Sequence, residues 1–336
     1  MNIVDGKEAV CRIEDFRVHY MTFDGPVKAV DGVNMEVYRE ETLGLVGESG
    51  CGKSTLGSAL LKILPRTARM SGKVYLEGED LMSKMEKEMQ KLRGAKIAMI
   101  FQDPMTSLNP IMKVKDHFTE MIRTHKPEVS EEQALEMAAR ALEEVGISES
   151  RLNDYPFQFS GGMRQRMMIA LSIVLRPALV IADEPTTSLD VIVQAQILQL
   201  MKEIQSHIRS SMILITHDLG VVAEMAHRIG VMYAGHLVEL APRDVIYYRP
   251  LHPYTVALLE SVPNTDINDM DLDYIEGYPP SLLNIGEGCR FADRCPKVMK
   301  LCRDRTPPDV QIDEEHIVKC WLYADSFEED EDNASG

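Results

Sequence analysis

Four short apolar runs set the rhythm of this chain, and each ends in polar or glycine residues. They are Leu43-Gly44-Leu45-Val46, Ile97 to Phe101, Leu179 to Ala182 and Met212 to Ile215. Their length and near-continuous hydrophobicity predict strands buried on both faces. The second run ends at Gln102-Asp103-Pro104, the third at Asp183-Glu184-Pro185 and the fourth at Thr216-His217-Asp218. Helical patterns separate them. Leu56 to Leu64 has the composition of a helix, which Pro65 stops, and Lys84 to Leu92 is a polar helical stretch. From Val114 to about Leu175 the sequence is mostly helical, with breaks at Pro127, Gly146 and Pro156. Val193, Ile197, Leu200, Met201 and Ile204 mark the apolar face of a later helix. Before all this, Val10 to about Val37 reads as strands around a loop at Asp24-Gly25-Pro26, and Lys73 to Glu77 as an edge strand. Strands alternating with helices predict an α/β fold with a largely parallel sheet and an active site at the strand C-termini. The long helical insertion predicts a subdomain standing off that sheet.

Past Ile229 the pattern changes to short strands and then proline-rich loops, with an acidic, poorly periodic linker from Asn264 to Tyr278. At 336 residues the chain is long for one core, so one large domain plus an appendage is expected. The formal charge is −17, which argues against a nucleic-acid partner, because phosphate backbones call for clustered Lys and Arg. Six of the acids, Asp325, Glu328, Glu329, Asp330, Glu331 and Asp332, lie in a tail that reads as solvated and disordered, leaving −11 elsewhere. The N-terminus carries Asp5, Lys7 and Glu8 and has no signal-peptide character. The longest apolar stretch considered for a membrane span, Met167 to Leu175, is nine residues, far short of the ~18 that a bilayer requires. The expectation is a cytosolic chain whose link to any membrane passes through another protein. Its six cysteines then suggest free thiols or metal ligands before disulfides.

The first apolar run feeds the most informative stretch. Gly47, Glu48, Ser49, Gly50, Cys51, Gly52, Lys53, Ser54 and Thr55 fit G-x-x-x-x-G-K-[S/T]. Strand, glycine loop and helix in that order aim backbone N–H groups at an anion, with the helix dipole behind them. Lys53 is expected to reach the β- and γ-phosphates of a nucleoside triphosphate, and the Ser54 hydroxyl to ligate Mg²⁺. Asp183, at the tip of the third run, is expected to order that Mg²⁺, and Glu184 to polarise the attacking water as a general base. Adjacent acids are common anywhere; behind LVIA and downstream of a phosphate loop the pair becomes a strong signal. Ser160, Gly161 and Gly162 precede an apolar helix, as an ordinary N-cap or as a second anion site. Tyr20 could stack on a base or simply pack on its sheet.

Taken together, GESGCGKS, FQDP, FSGGMRQR, LVIADEP, SLD and THD resemble the ATP-binding subunits of ABC transporters over about residues 10 to 240. The resemblance implies two such subunits paired head to tail, each ATP held between Gly47–Ser54 of one and Ser160–Gly162 of the other. It implies that Gln102 contacts Mg²⁺ and the water and senses the membrane partner. It implies that Asp190 lies in a loop communicating across the dimer, that His217 contacts the γ-phosphate, and that Tyr20 stacks on adenine. Two departures are visible: Phe159 replaces a leucine, an apolar swap, and Glu40 stands in place of a glycine, which costs backbone energy if φ is positive there.

The closer resemblance is to the oligopeptide/dipeptide branch of importers, through LGLVGESGCGKST, FQDPMTSLNP, SGGMRQRMMIA, RPLHPYTVALLESVP and GCRFADRCPKVMKLC with Cys320. Relatives in that branch also carry nickel or sugars. Cys289, Cys295, Cys302 and Cys320 are spaced C-x5-C-x6-C-x17-C. Tight zinc knuckles are absent, and loose spacing with Pro296 after Cys295 suits an iron–sulfur cluster better; zinc and an empty site remain alternatives. The branch resemblance implies a [4Fe–4S] cluster. Cys11 and Cys51 read as small packing residues.

The resulting expectation is an ABC ATPase with a mostly parallel sheet, an antiparallel β part, a helical subdomain and a small cysteine-containing appendage. The ATPase domain takes 1–262, with its helical subdomain at about 103–176; the extension takes 263–322, and the acidic tail 323–336. The expected partners are two transmembrane permease subunits, a second ATP-binding subunit (a copy or a related chain) and, indirectly, an external solute-binding protein, at the cytoplasmic face of the membrane. A soluble ABC ATPase acting on DNA or ribosomes is the rival, disfavoured by the acidic charge and the absence of a long coiled coil or a second cassette.

Overall fold

The computed structural model describes residues 3–4, 7–103, 107–187, 189–261 and 275–324. Most of the predicted linker, the boundary at 262/263 and the tail from 325 lie outside the described residues, as do Pro104 and Ser188 of the motifs above.

The chain opens with an antiparallel meander: β1 (Ile3–Val4), β2 (Lys7–Thr22) and β3 (Gly25–Tyr38). Along β3 the side chains of Val33, Met35 and Val37 are buried while those between them are not, the period-two signature of a sheet with one face on a core. At its end Glu40 has φ 57, the left-handed backbone that glycine would adopt at lower cost. β4 (Thr42–Val46) is buried at every position, as its unbroken apolar pattern requires. The phosphate loop comes next, then α1 (Lys53–Leu60). This helix ends earlier than Pro65: Lys62 takes φ 53, its N–H and that of Ile63 bond back to Ala59 and Ser58, and its ammonium is held by Met82 O and Lys84 O.

β5 (Ala68–Leu76) pairs with β2 along its length and with the two-residue β6 (Glu79–Asp80) at Tyr75 and Leu76, so the stretch read as an edge has neighbours on both sides. α2 (Glu86–Leu92) and β7 (Ile97–Ile100) come after it. The helical segment consists of α3 (Val114–His125), α4 (Glu131–Glu144) and α5 (Gly161–Ile173). Val114, Phe118 and Ile122, then Ala134, Ala138, Ala141 and Leu142, are the buried i, i+4 stripes of α3 and α4. These residues share one apolar cluster with α5 and with Ile100, Val180, Ala182 and Leu214 of the sheet.

The remaining core elements are β8 (Leu179–Asp183), α6 (Val191–Ile208), β9 (Ser211–Ile215), α7 (Leu219–Met225), β10 (Arg228–Tyr233) and β11 (His236–Pro242), then α8 (Arg243–Tyr248) and α9 (Pro253–Glu260). Past the undescribed residues come α10 (Lys300–Asp304), β12 (Val310–Asp313) and β13 (His316–Val318). The main sheet runs β12-β13-β11-β10-β4-β9-β8-β7. From β10 to β7 all pairings are parallel; from β10 outward to β12 all are antiparallel. The C-terminal segment therefore does more than hang from the core. It extends the main sheet, and Phe291 packs edge-on against Tyr233 and Tyr254 at centroid distances of 5.2 and 5.4 Å. Among the described residues no helix is long and apolar enough to cross a membrane.

Candidate active site

Parallel strands β4, β8 and β9 end side by side, which brings three chemically rich turns together. The turn after β4 is the phosphate loop. Gly47 has φ 147 and Gly52 φ 109, and a Cβ at either would lie within about 2.2 Å of a backbone oxygen, Met232 O or Ala29 O respectively. Both glycines are thus required by backbone conformation and by close approach. Ser49 and Gly50 form the exposed tip, while Cys51 is buried, with Gly235 N–H donating to its carbonyl. Lys53 starts α1 and is buried. Its ammonium donates to Gly47 O at 2.7 Å and Glu48 O at 3.0 Å, so it lies inside the curve of the loop. Next to it the Ser54 hydroxyl donates to Asp183 Oδ1 at 2.8 Å. Burial raises the pKa of Asp183 above the ordinary carboxylate range; the Ser54 hydrogen bond opposes that shift and Glu184 adds to it.

One residue on, Glu184 gathers a second set of groups. Gln102 Nε2 donates to its Oε2 at 3.0 Å, Thr187 Oγ1 donates to the same oxygen at 2.9 Å, and His217 Nδ1 lies 3.1 Å from Oε1. The Glu184 backbone sits at φ 46, a left-handed value unusual for a side chain longer than glycine. Such a conformation costs about 1–3 kcal/mol and persists only where the surroundings fix it. Here Glu184 N–H donates to Ile215 O at 2.8 Å, pinning the turn to β9. His217 is more than half exposed, whereas Glu184 faces inward. Tyr20, at the end of β2, joins this side of the molecule through Thr55: the two hydroxyls are 3.3 Å apart.

The other predicted residues form a separate group. Ser160 caps α5, its hydroxyl accepting from Met163 N–H at 3.3 Å, and Ser160 and Gly161 are exposed. At Gly162 a Cβ would lie 2.7 Å from Val193 Cγ1, so this glycine lets α5 approach the first turn of α6. Asp190 caps α6 by accepting from Val193 N–H at 3.0 Å.

The chain matches the "ABC transporter" family model over residues 30–187 and the "Oligopeptide/dipeptide transporter, C-terminal region" model over residues 238–302. It is 48% identical over 320 residues to the dipeptide transport ATP-binding protein DppD of Bacillus subtilis (strain 168), covering 94% of this chain and 95% of that one. It is 44% identical over 302 residues to the oligopeptide transport ATP-binding protein OppD of Escherichia coli (strain K12), covering 89% of each. The chain belongs to the ABC transporter ATP-binding subunits of the oligopeptide/dipeptide type. A solved dimeric ATP-binding cassette, MJ0796 in a post-hydrolysis state with ADP and phosphate, matches its fold with TM-score 0.62 at 25% identity, covering 69% of this chain and 98% of that one. This ABC subunit is an ATPase, the motor of an importer.

Sequence reasoning missed three groups that touch the site. Thr187, in the turn after Asp183-Glu184, was hidden among common turn residues. Tyr254 Oη accepts from Glu48 N–H at 3.0 Å, and Arg294 Nη1 donates to Glu48 Oε2 at 2.9 Å. Both come from beyond residue 250, and no local pattern announces a contact with the loop at 48.

The four C-terminal cysteines are free thiols, Cys302 and Cys320 buried and Cys289 and Cys295 half-buried. Burial pushes Cys289 up to about 12 and Cys320 up to about 11, and the neighbouring cysteines add to both shifts. Among the described residues no group of three or more His, Cys, Asp or Glu is placed to hold a metal ion. A single zinc, which needs its thiolates about 2.3 Å from one point, does not fit that arrangement.

Proposed function

We propose that this subunit powers uptake of oligopeptides or dipeptides, the solutes named for its relatives in Bacillus subtilis and Escherichia coli. The observation that carries the catalytic part is the Glu184 carboxylate, held by Gln102, Thr187 and His217 beside the Ser54–Asp183 pair. In this reading Glu184 takes a proton from the attacking water, and Gln102 and Thr187 fix its orientation. His217 turns toward the γ-phosphate and, with Lys53, stabilises the charge that develops there. The oxygen donors Ser54, Asp183 and Gln102 suit a hard divalent cation and would hold Mg²⁺, which neutralises phosphate charge when bound. Tyr20, steadied by Thr55, offers its ring to adenine.

Ser160, Gly161 and Gly162 serve the ATP of a second subunit, with Asp190 beside them, because their exposed N-terminus supplies anion-binding N–H groups away from the chain's own phosphate loop. Two transmembrane permease subunits dock at the cytoplasmic face. An apolar groove of about 570 Å³, lined by Ile63, Met99, Phe101, Leu108, Met121 and Leu171 among others, opens beside Gln102 and suits a short helix from such a subunit. An external solute-binding protein delivers the peptide.

The division into an ATPase domain (1–262, with helices at about 103–176), an extension (263–322) and a tail belongs to the same proposal. So does a [4Fe–4S] cluster on Cys289, Cys295, Cys302 and Cys320. Four unpaired thiols, two buried and two half-buried, lie close enough to influence one another electrostatically and supply the right donors, and a cluster spreads its irons among them as a lone ion cannot. Bound there, it would cross-link the loop at Cys289, the turn at Cys295, α10 and the turn that follows β13. Iron, sulfide and zinc assays with the visible spectrum of anaerobically purified protein test it: about four iron and four sulfide per chain are expected, and one zinc without iron overturns it.

For the transport reading, the complete importer is reconstituted in liposomes and ATP turnover measured as peptide is added. Glu184→Gln is expected to lower turnover at least about 100-fold while ATP still binds. Near-wild-type turnover would refute the base assignment, and turnover indifferent to peptides would refute the solute.

A further inference from the structure

The loop that meets the phosphates is braced from behind by the C-terminal segment. Every polar group of Glu48 is engaged. Its N–H donates to Tyr254 Oη at 3.0 Å, its carbonyl accepts from Lys53 Nζ at 3.0 Å and from Cys51 N–H at 3.3 Å, and its carboxylate accepts from Arg294 at 2.9 Å. Arg294 makes three further hydrogen bonds. Its Nη1 also donates to Tyr233 Oη at 3.2 Å, its Nε to Glu276 O at 2.9 Å, and its Nη2 to Ile275 O at 3.1 Å. The guanidinium lies over the rings of Tyr233 and Phe291 with only 6% of its side chain exposed. It occupies the last position of a short 3₁₀ turn, Ala292–Arg294, immediately before Cys295.

A buried arginine with fixed donors has few ways to move, and a carboxylate that left it would strand a charge. The contacts therefore form a relay: the cysteine segment holds Arg294, Arg294 holds Glu48, and the Glu48 carbonyl helps to aim the Lys53 ammonium. We propose that Arg294 is a positioning residue for the phosphate loop, so that the cysteine-bearing segment sets the affinity of the subunit for ATP. The proposal rests on the ATPase reading and holds whatever the four thiols bind.

The test is titration calorimetry of Mg·ATP on the full chain, with Tm recorded for every variant. Arg294→Met is expected to raise Kd about tenfold, and Arg294→Lys, which keeps the charge but loses the fork, about threefold. Glu48→Gln leaves the cysteine segment intact and should also raise Kd about tenfold, and the double variant should be no weaker than Arg294→Met alone. Arg294→Met that lowers Tm but leaves Kd within about twofold of wild type overturns the proposal. So does a double variant whose loss is the product of the two single losses. If Arg294→Met does not fold, Glu48→Gln decides: an unchanged Kd overturns the relay, and a raised Kd partly restored by a compensating Glu48→Gln, Arg294→Gln pair supports it.

Discussion

Two helices in this subunit begin where an anion can be held, and they are prepared in opposite ways. At the start of α1 the groups are buried and already wired: Lys53 to the loop carbonyls, Ser54 to Asp183, Glu48 to Tyr254 and Arg294. At the start of α5 the N-terminus is exposed and its hydrogen bonds stay local, Ser160 capping its own helix and Gly162 sitting against Val193. A helix end that spends its side chains on its own chain yet leaves its N–H groups in the open is what the proposed half-site requires. The first terminus can hold a nucleotide within one subunit. In the proposed reading, the second acts only when another subunit supplies the nucleotide.

The largest expected effect separates the two. In the isolated chain Lys53→Met should weaken ATP binding at least about 100-fold, whereas Gly162→Val should leave binding near wild type and abolish turnover in the assembled transporter. The valine would drive α5 off Val193, since a Cβ there already lies 2.7 Å from its methyl group. Loss of monomer binding in the Gly162 variant would break the comparison.

Acid should loosen the first terminus and leave the second alone. His252 N-caps α9, its Nδ1 accepting from Tyr254 N–H at 3.0 Å, and burial depresses its pKa to about 4. A histidine with a depressed folded pKa contributes stability that is present above its ordinary value of about 6.5 and is lost as pH falls toward 4. The loss by pH 5 should be about 2 kcal/mol. Urea titrations across that range should show it, and His252→Gln should remove that part of the slope. An unchanged slope would sink the assignment.

The smallest effect concerns Asp183, whose burial raises its pKa. A carboxyl with a raised folded pKa contributes stability only at low pH and costs stability once ionised, so at neutral pH the nucleotide-free fold carries that cost. Asp183→Asn keeps an acceptor for Ser54. It should raise Tm by about 2 °C or more while removing Mg²⁺-dependent turnover. A lower Tm would show that the charge is not the costly element.

Much of this was legible residue by residue. Unbroken apolar runs such as Leu179–Ala182 can only be buried strands, and the polar turn after each is forced to the same edge of a parallel sheet. That alone brings Lys53, Asp183, Glu184 and His217 together. The sequence raised a backbone cost at Glu40 only on the condition of a positive φ, and the φ of 57 there meets that condition. The early end of α1 was not legible, because Lys62 has ordinary helix propensity and is drawn out of the helix by the carbonyls of Met82 and Lys84. The two-sided pairing of β5 and the sheet contributed by β12 and β13 were equally silent, since neither β5 nor β12 is strongly apolar.

What the sequence determined by itself is the phosphate loop, the acids at strand ends and the largely parallel core, because these depend on local periodicity and on residue types with one conformational use. The tertiary structure alone decided that Glu184 would be held at φ 46 by Ile215, and that Gln102 and Thr187 would share one carboxylate oxygen. It alone decided that Arg294 would brace a loop 246 residues away. These contacts join segments distant in the chain, and a distant contact leaves no periodicity behind.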